Sequence, residues 1–594
     1  MKYIDTFVEW EKSHSLLNFA RCGGSGNGRI PGHGRSDGKS VQYGLGKDSS
    51  KFVQDGLGKD GGKFVQDGLG KDSRQSVQYG LGKDGGKFVQ DGGANGLTGQ
   101  GESGFAFWNY LRRDILMSFI DYSEGKKSNF KQNLENPDSG VSILDKIRNG
   151  FYLFGKTLAT DKRDIDLLIL CHPRRQEIAG KMVSIYTDFL YDEFPNSVTL
   201  ERAGNRPRGA KLAPPYSPNL IYNHRLTLMS YVYRMFIKRF RKAEYRRIKD
   251  EIRSRLDLPL KDLEQRTGFR ISIDLIAERG AALYFFYKIR KPAYSRLLRK
   301  IRPRAIVEVI GGSFDAKIIN EAASELNIPT IGLQHGAGTG TINYPKGVEV
   351  PQCAAWYFTF SEYWKKRAHM AIPDSHIIAT GYPYHDEEMK KFPPKPPAAD
   401  GLYRVIFLTS PKYTKEFARI AEELIDAAGG QVRVIFKLHP KEMADWRKNI
   451  PNLDREGIEI IDDKNIPLYS LFAECVAQVG ADSTAVYEGM SYELSTFIWD
   501  NPMSTSLMDL CESGAAVLFK DGADLAHKIA ENRKVGRVLE EGKTEVGNGG
   551  TQEKLSQGAA SRGYNAAYFW EPNAREKMVD EIKKIMAQNA RIWE

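Results

Sequence analysis

The chain has 594 residues, of which 41% are hydrophobic and 27% are charged, and its formal net charge is +11. This composition is typical of a folded globular protein and excludes a mostly disordered chain. No stretch approaches the roughly 20 apolar residues of a membrane-spanning helix, and we expect no signal peptide, because the N-terminus lacks a long apolar core. The five scattered cysteines are odd in number and lack close pairs, which argues against a disulfide framework or a zinc site. We therefore expect reduced thiols in a cytoplasmic protein.

A glycine-rich repeat occupies the N-terminal region. Residues 44–91 are four copies of a twelve-residue unit that begins GLGKD, and a degenerate copy precedes them at 32–43. Glycine fills 25 of the 82 positions from 23 to 104. Each unit offers too few apolar side chains to offset the entropy lost on ordering so much glycine. We predict that 23–103 is a flexible insert in a domain built from 1–22 and 104–391.

The positive charge is concentrated in residues 225–304, where 23 Lys and Arg stand against 8 Asp and Glu. Within this segment, apolar side chains recur at near-helical spacing between the cations: Tyr231, Met235, Phe236 and Phe240. This pattern is typical of a helix on an anionic membrane surface. It is equally typical of a solvated helix that packs on the protein by its apolar stripe, and both interpretations stay open. We expect no nucleic-acid partner, because no nucleic-acid-binding motif accompanies the charge.

From residue 161 onward, short apolar runs alternate with helical patterns. The runs lie at 165–170, 305–310, 329–334, 356–360 and 376–380, and, after a Pro-rich linker at 392–400, at 404–410, 432–438, 458–461, 475–480, 496–500 and 515–519. Strands that alternate with helices predict parallel sheets with helices on both faces. We therefore predict an α/β fold with two Rossmann-like domains that face each other across a cleft. Ligands in such sheets bind beyond the carboxyl ends of the strands.

The strand ends of the second block, 401–567, carry polar groups that suit a nucleotide phosphate. A helix N-terminus presents free N–H groups and a positive dipole end to an anion, and Ser483 and Thr484 begin a predicted helix that contains Glu488. Taken singly, these hydroxyl residues are also ordinary helix caps, and His439 is also an ordinary loop histidine. Taken together, they predict a site for the donor nucleotide and its phosphates, with Glu488 at the ribose hydroxyls: Ser410, Lys437, His439, Asp482, Ser483, Thr484 and Glu488.

One strand end of the first block carries a histidine in a glycine-rich loop. The run 329–334 ends in Gln334-His335-Gly336, and Gly338 follows. A neutral imidazole in this position suits a general base that deprotonates an acceptor hydroxyl; the alternative is a structural turn histidine. A second loop, Gly311-Gly312, follows the run 305–310, and we expect it to line the same cleft.

Four stretches then make the sequence similar to a known family: 328–338, 434–442, 476–500 and 568–585. In combination they resemble the GT-B glycosyltransferases of bacterial surface-polysaccharide synthesis, in particular the CDP-glycerol glycerophosphotransferases of teichoic acid synthesis and related capsule transferases. The resemblance implies a GT-B-like fold whose C-terminal domain holds the donor, and a final helix in 568–594 that crosses back to the N-terminal domain. It also implies catalytic roles for His335 and His439, and it implies no metal and no other cofactor. The segment 105–300, on the acceptor side, matches no motif.

The implied function is transfer of a sugar or polyol phosphate from a nucleotide-activated donor to a lipid-linked surface-polysaccharide acceptor. The basic segment would then place the enzyme on the inner face of the plasma membrane. Two alternatives remain. A nucleotide-sugar epimerase would share the fold and need no membrane acceptor. A non-catalytic envelope scaffold would use the repeat and the basic segment for binding, but would have little reason to keep both His335 and His439.

Overall fold

The computed structural model describes residues 2–14, 106–123, 160–201, 215–337, 348–396, 400–439, 442–545 and 568–589, together with residues 158 and 344. Within these ranges, residues 173, 174, 179, 444, 502 and 503 are not described. The predicted insert at 23–103 and the predicted cleft residue Gly338 lie outside these residues.

The described residues form sixteen helices and fifteen strands in the following order. The helices are α1 (Lys2–Ser13), α2 (Phe107–Ser123), α3 (Leu190–Glu193), α4 (His224–Phe240), α5 (Lys242–Thr267), α6 (Ile273–Ile301), α7 (Phe314–Ser324), α8 (Glu362–Arg367), α9 (Pro383–Lys391), α10 (Thr414–Ala428), α11 (Trp446–Asn449), α12 (Leu468–Phe472), α13 (Ala485–Met490), α14 (Met508–Glu512), α15 (Gly522–Glu545) and α16 (Ala574–Gln588). The strands are β1 (Leu167–Leu170), β2 (Gln176–Ile178), β3 (Lys181–Val183), β4 (Val198–Glu201), β5 (Leu220–Tyr222), β6 (Ala305–Glu308), β7 (Thr330–Leu333), β8 (Trp356–Thr359), β9 (Ile377–Ala379), β10 (Tyr403–Leu408), β11 (Val432–Lys437), β12 (Ile458–Ile461), β13 (Ala477–Gly480), β14 (Ser495–Trp499) and β15 (Val517–Phe519).

The first sheet has seven parallel strands in the order β5-β4-β1-β6-β7-β8-β9. Strand β1, in the interior of the sheet, pairs on both sides, with Leu168 opposite Val198 of β4 and Ile306 of β6. The strands that the sequence predicted are present within a few residues. Strands β4 and β5 were not predicted, because they contribute only four and three residues from a segment without a clear alternation.

The second sheet has six parallel strands in the order β12-β11-β10-β13-β14-β15. Numbered within the domain, this order is 3-2-1-4-5-6, the Rossmann order, and the first sheet follows it with one further strand at its edge. In such sheets the crevice for a ligand lies where the strand order reverses, here between β1 and β6 and between β10 and β13. The predicted α/β fold with two Rossmann-like parallel sheets is confirmed by these strand orders.

Different helices cover the two faces of the first sheet, because successive side chains of a strand point to opposite faces. Leu168 and Leu170 of β1 join a core with α2 and the basic helices α4, α5 and α6. Leu167 and Ile169 join a core with the last helix, α16, which contributes Met578, Val579, Ile582, Ile585 and Met586. None of the helices in the described part of the chain is long and apolar enough to cross a membrane.

The segment before α16 is held by groups from both sheet regions. The Trp570 indole donates to the Tyr487 carbonyl (3.1 Å), next to the second sheet, and the Glu571 amide donates to the Phe360 carbonyl (2.7 Å), next to the first. Helix α16 then begins at Ala574, whose amide donates to the Asp386 carboxylate (2.8 Å). These contacts fix the C-terminal segment across the two Rossmann-like domains.

Gly381 is expected to be intolerant of a side chain at this crossing. Its φ is +93°, and an added Cβ would lie 2.5 Å from the Glu571 carbonyl oxygen and against Ala574. We expect Gly381→Ala to lower the free energy of unfolding by about 1–3 kcal/mol, the usual range for overpacking, and to expose the C-terminal segment to protease. The matched control is Gly401→Ala, because Gly401 has a φ of +69° with nothing within 4 Å of its Cβ position. If urea unfolding shows the same loss of unfolding free energy for Gly381→Ala and Gly401→Ala, the close contact at Gly381 is contradicted.

Candidate functional site

The loops after β10 and β13 are joined at the point where the strand order of the second sheet reverses. The carboxylate of Asp482, after β13, accepts from Lys412 Nζ (3.0 Å) and from the Tyr413 hydroxyl (2.8 Å), both after β10. Ser410 lies in the same turn, where its carbonyl accepts from the Tyr413 amide (2.9 Å). The predicted residues Ser410 and Asp482 therefore share one end of the sheet, and the Asp482 charge is compensated by Lys412.

The turn that carries His439 is connected to the same place. The Thr414 hydroxyl donates to the Ser410 carbonyl (2.8 Å) and lies 2.9 Å from the Glu442 carboxylate. The Glu442 amide in turn donates to the His439 carbonyl (2.9 Å), and burial raises the pKa of the Glu442 carboxyl group. His439 itself is half-buried at the end of β11. Hydrogen bonds thus connect the ends of three adjacent strands, β11, β10 and β13.

Thr484 connects this cluster to the first sheet. Its Oγ1 accepts from the Ala337 amide (2.9 Å), in the loop that follows β7 and His335. A Cβ at Gly336 would lie 3.3 Å from the same oxygen, so glycine permits the close approach. A hydroxyl has one donor and two acceptor positions, so Thr484 retains its proton for a ligand while it holds the loop. Its neighbour Ser483 accepts from the Ala485 amide (3.2 Å) in a local turn contact, and Thr484, the N-cap of α13, makes no side-chain capping bond.

Glu488 lies one turn further along α13 and is partly buried. Burial raises the pKa of its carboxyl group, and the nearby His385 and the Tyr469 hydroxyl oppose that rise. The ring of His385 stacks on Trp570 at 4.5 Å, and its Nε2 lies 2.9 Å from the Ser491 hydroxyl. Glu488 is therefore placed where α13 meets the helix α9 and the C-terminal crossing segment.

Lys437 has partners in a different loop. Its ammonium donates to the carbonyls of Asp463 (3.0 Å) and Ile466 (3.2 Å). Burial lowers the pKa of this side chain, and Asp463 opposes the change. These bonds hold the loop after β12, so the structure gives Lys437 a positioning role, and direct contact with phosphate stays a prediction.

The first sheet brings a second histidine to His335. The His335 side chain is exposed at the end of β7, and its ring lies 5.5 Å from that of His172, which follows β1. Tyr186 contacts the His172 ring (5.5 Å), and its hydroxyl donates to the His335 carbonyl (3.0 Å). The buried Gln334 accepts from the Phe360 amide (2.9 Å) and donates to the Gly336 carbonyl (3.1 Å), which fixes the loop. Two imidazoles thus share the crevice beyond β1 and β7.

The predicted cleft glycines after β6 accommodate charged side chains. A Cβ at Gly311 would lie 2.5 Å from Glu308 Oε1, and one at Gly312 would lie 3.2 Å from Arg113 Nε. Glu308 is buried at the end of β6 and accepts from the Asn320 amide group (3.1 Å). Gly311 and Gly312 therefore lie at the strand-order reversal of the first sheet, where the lack of a side chain leaves room for Glu308 and Arg113.

Sequence reasoning missed three residues of the first-sheet crevice: His172, Arg175 and Tyr186. Arg175 is largely buried, and it donates to Glu201 (2.8 Å) and lies 3.6 Å from Asp188. A signal for His172 was present, because it lies two residues after the predicted strand at 165–170, where strand-end residues were to be sought. Tyr186 carries no such signal, because its contact with His335 spans 149 residues.

The comparisons with known proteins give likenesses at low identity. No family model matches the chain, and a search of curated proteins finds no match. Among solved structures, UDP-GlcNAc 2-epimerase from Neisseria meningitidis is 12% identical, covers 70% of this chain and 99% of its own, and has a TM-score of 0.38. The wall teichoic acid polymerase TagF is 10% identical, with coverages of 81% and 98% and a TM-score of 0.35. MurG from Acinetobacter baumannii is 11% identical, with coverages of 71% and 99% and a TM-score of 0.36. The fold assignment rests on the two strand orders.

Proposed function

We propose that this chain is a glycosyltransferase-type enzyme that transfers a sugar or polyol phosphate, as in CDP-glycerol-dependent transfer, from a nucleotide-activated donor to a lipid-linked surface-polysaccharide acceptor. One observation carries the proposal. Hydrogen bonds link the strand ends of the second sheet where its order reverses, and Thr484, two residues after Asp482 in the same loop, holds the loop that presents His335. This arrangement suits an enzyme that holds a nucleotide on one domain and a proton acceptor on the other.

The donor nucleotide is assigned to the second domain. Its diphosphate would lie beyond β10 and β13, within reach of His439, Ser483 and Thr484, and Glu488 would accept from the ribose hydroxyls. Donors that point at the leaving phosphate stabilise the charge that develops there in the transition state. The proposal assigns this task to protein groups and requires no metal.

The acceptor is assigned to the first domain. His335 would take the proton of the acceptor hydroxyl, whose oxygen then attacks the anomeric carbon of the sugar or, in the polyol phosphate variant, the phosphorus. The bond from that atom to the nucleotide phosphate breaks, and the nucleotide leaves with the electron pair. His172 lies against His335 and is assigned the positioning of its ring.

A second candidate is a nucleotide-sugar epimerase, which one observation favours. Epimerisation needs a group that removes a proton and a group that returns it, and His172 and His335 are two titratable groups in one crevice, 5.5 Å apart. The two candidates differ in product: the epimerase converts the nucleotide sugar itself, whereas the transferase releases the nucleotide only with an acceptor. A scaffold would bind no nucleotide.

A melting-temperature screen against CMP, CDP, UDP, GDP and CDP-glycerol tests the proposal. A ligand that binds only the folded state at 100 times its dissociation constant adds about 2.7 kcal/mol of stability. We expect a rise with a cytidine ligand that is lost in His439→Ala and kept in the control His527→Ala, whose side chain is 72% exposed on α15. A rise with UDP alone would favour the epimerase, and no rise with any nucleotide would contradict the enzyme assignment.

A further inference from the structure

Helix α4 packs on the protein by one face only. Its buried residues include Leu226, Ser230 and Ile237, and the Ser230 hydroxyl accepts from Arg290 Nε of α6 (3.2 Å). Tyr231 packs on Phe286 of α6, with ring centroids 4.8 Å apart. Of the four apolar residues whose spacing left packing and membrane docking open, Tyr231 therefore belongs to the packed face.

The opposite face of α4 exposes large apolar side chains. Their exposed fractions are between 50% and 68%, and the residues are Met229, Val232, Met235, Phe236 and Phe240. Because side chains three and four residues apart are neighbours on a helix, these five form one continuous stripe. The Phe236 and Phe240 rings contact each other at 5.1 Å. We call this stripe the α4 apolar face.

Cations border the α4 apolar face. Arg225 precedes Met229 by one turn, Arg239 follows Met235 by one turn, and the Arg239 guanidinium lies 5.4 Å from the centre of the Phe240 ring. Lys242 and Arg246 are exposed at the start of α5, and α4 contains no Asp or Glu. An apolar stripe bordered by cations is complementary to a surface with negative charge outside and hydrocarbon beneath.

We propose that the α4 apolar face docks on the surface of an anionic phospholipid bilayer, with Phe236 and Phe240 inserted among the acyl chains and the Arg and Lys side chains at the lipid phosphates. A second copy of the chain fits this face poorly. A twofold interface brings the same patch of both copies together, so the cations that border this face in one copy would lie close to the cations of the other copy.

The position of α4 connects the docking face to the candidate site. The helix begins directly after β5, the outermost strand of the first sheet. Because the sheet is parallel, the carboxyl end of β5 lies at the same edge as His172 and His335. Docking would therefore bring this edge of the acceptor-side domain to the lipid surface. The inference rests on α4 and its neighbours, and it stands whether or not the proposed transfer reaction is correct.

Co-sedimentation of the full chain with vesicles tests this inference. We expect binding to vesicles of phosphatidylcholine with 30 mol% phosphatidylglycerol that is at least tenfold weaker with phosphatidylcholine alone. The double variant Phe236→Ser/Phe240→Ser should weaken binding at least tenfold. Arg239→Glu/Lys242→Glu should weaken binding most at low salt, and its difference from the wild type should shrink as salt screens the charges. The matched control is Leu258→Ser, because Leu258 is 74% exposed on α5, outside the α4 apolar face.

Three outcomes would overturn the inference. The first is that the wild-type chain does not sediment with the anionic vesicles, and the second is that the Phe236→Ser/Phe240→Ser variant binds as well as the wild type. The third is a dimer, seen by light scattering without lipid, that this variant converts to a monomer; the face would then be a self-association surface. Circular dichroism and the melting temperature report on folding, and the charge-reversal variant leaves the apolar side chains intact if the first variant unfolds.

Discussion

His335→Ala is expected to lower the rate of transfer by about 10²–10⁴-fold, the range that a positioned general base contributes. The His335 side chain is exposed, and its loop is held by other groups, among them Gln334 and Thr484. The variant should therefore fold normally and melt close to the wild-type temperature. The measurement is release of nucleotide from the donor identified by the melting screen, with and without lipid-linked acceptor.

Two further variants separate chemistry from binding. Because the proposal places the nucleotide on the other domain, His335→Ala should keep the nucleotide-induced rise in melting temperature, whereas His439→Ala should lose both that rise and turnover. His172→Ala should lower the rate less than His335→Ala, since the proposal gives His172 only the positioning of the His335 ring. If His335→Ala retains more than a tenth of the wild-type rate, the assignment of the base is wrong. If His172→Ala lowers the rate more than His335→Ala does, His172 is the base and His335 is the positioning residue.

The sequence predicted the strand ends better than the side chains that meet there. His335 and His439 were found by a local rule, because each directly follows an apolar run and parallel strands end at one edge. The contact of Thr484 with Ala337 spans 147 residues and joins two domains, so no local pattern carries it. For Lys437, the position at the end of β11 was predicted but the contacts were not. Its ammonium donates to the carbonyls of Asp463 and Ile466.

The basic segment shows why composition alone left two interpretations open. A helix with an apolar stripe and many cations is consistent both with packing and with a membrane surface, and α4 has one face for each. The sequence cannot separate the two faces. Tyr231 lies on the side of α4 that packs on α6 and Phe236 lies on the exposed side, and this difference depends on how the helix docks on the protein. Asp315 is a similar case, since the sequence gives it no role beyond following a glycine loop.

In the structure, Asp315 is the centre of a buried network that joins three helices. One carboxylate oxygen accepts from Arg290 Nη1 (3.0 Å) and from the Tyr294 hydroxyl (2.9 Å), both on α6. The other accepts from the Asn223 side-chain amide (2.9 Å), directly before α4. Arg290 is 1% exposed and Asp315, near the start of α7, is 7% exposed. Burial and the Asp315 charge raise the pKa of Tyr294 well above its usual value, so its hydroxyl stays a donor.

Asp315→Ala is expected to lower the free energy of unfolding by about 3–5 kcal/mol, because it leaves the Arg290 charge buried without its counter-ion. Urea unfolding followed by tryptophan fluorescence measures the loss.

The double variant Arg290→Met/Asp315→Leu removes both charges. Replacement of a buried ion pair by apolar residues of similar volume is often neutral, so we expect the double variant to recover most of the lost stability. The control Asp274→Ala removes an exposed partner of Arg253 (3.3 Å) and should cost at most about 1 kcal/mol. Equal effects of Asp315→Ala and Asp274→Ala would show that the network does not hold α4, α6 and α7 together.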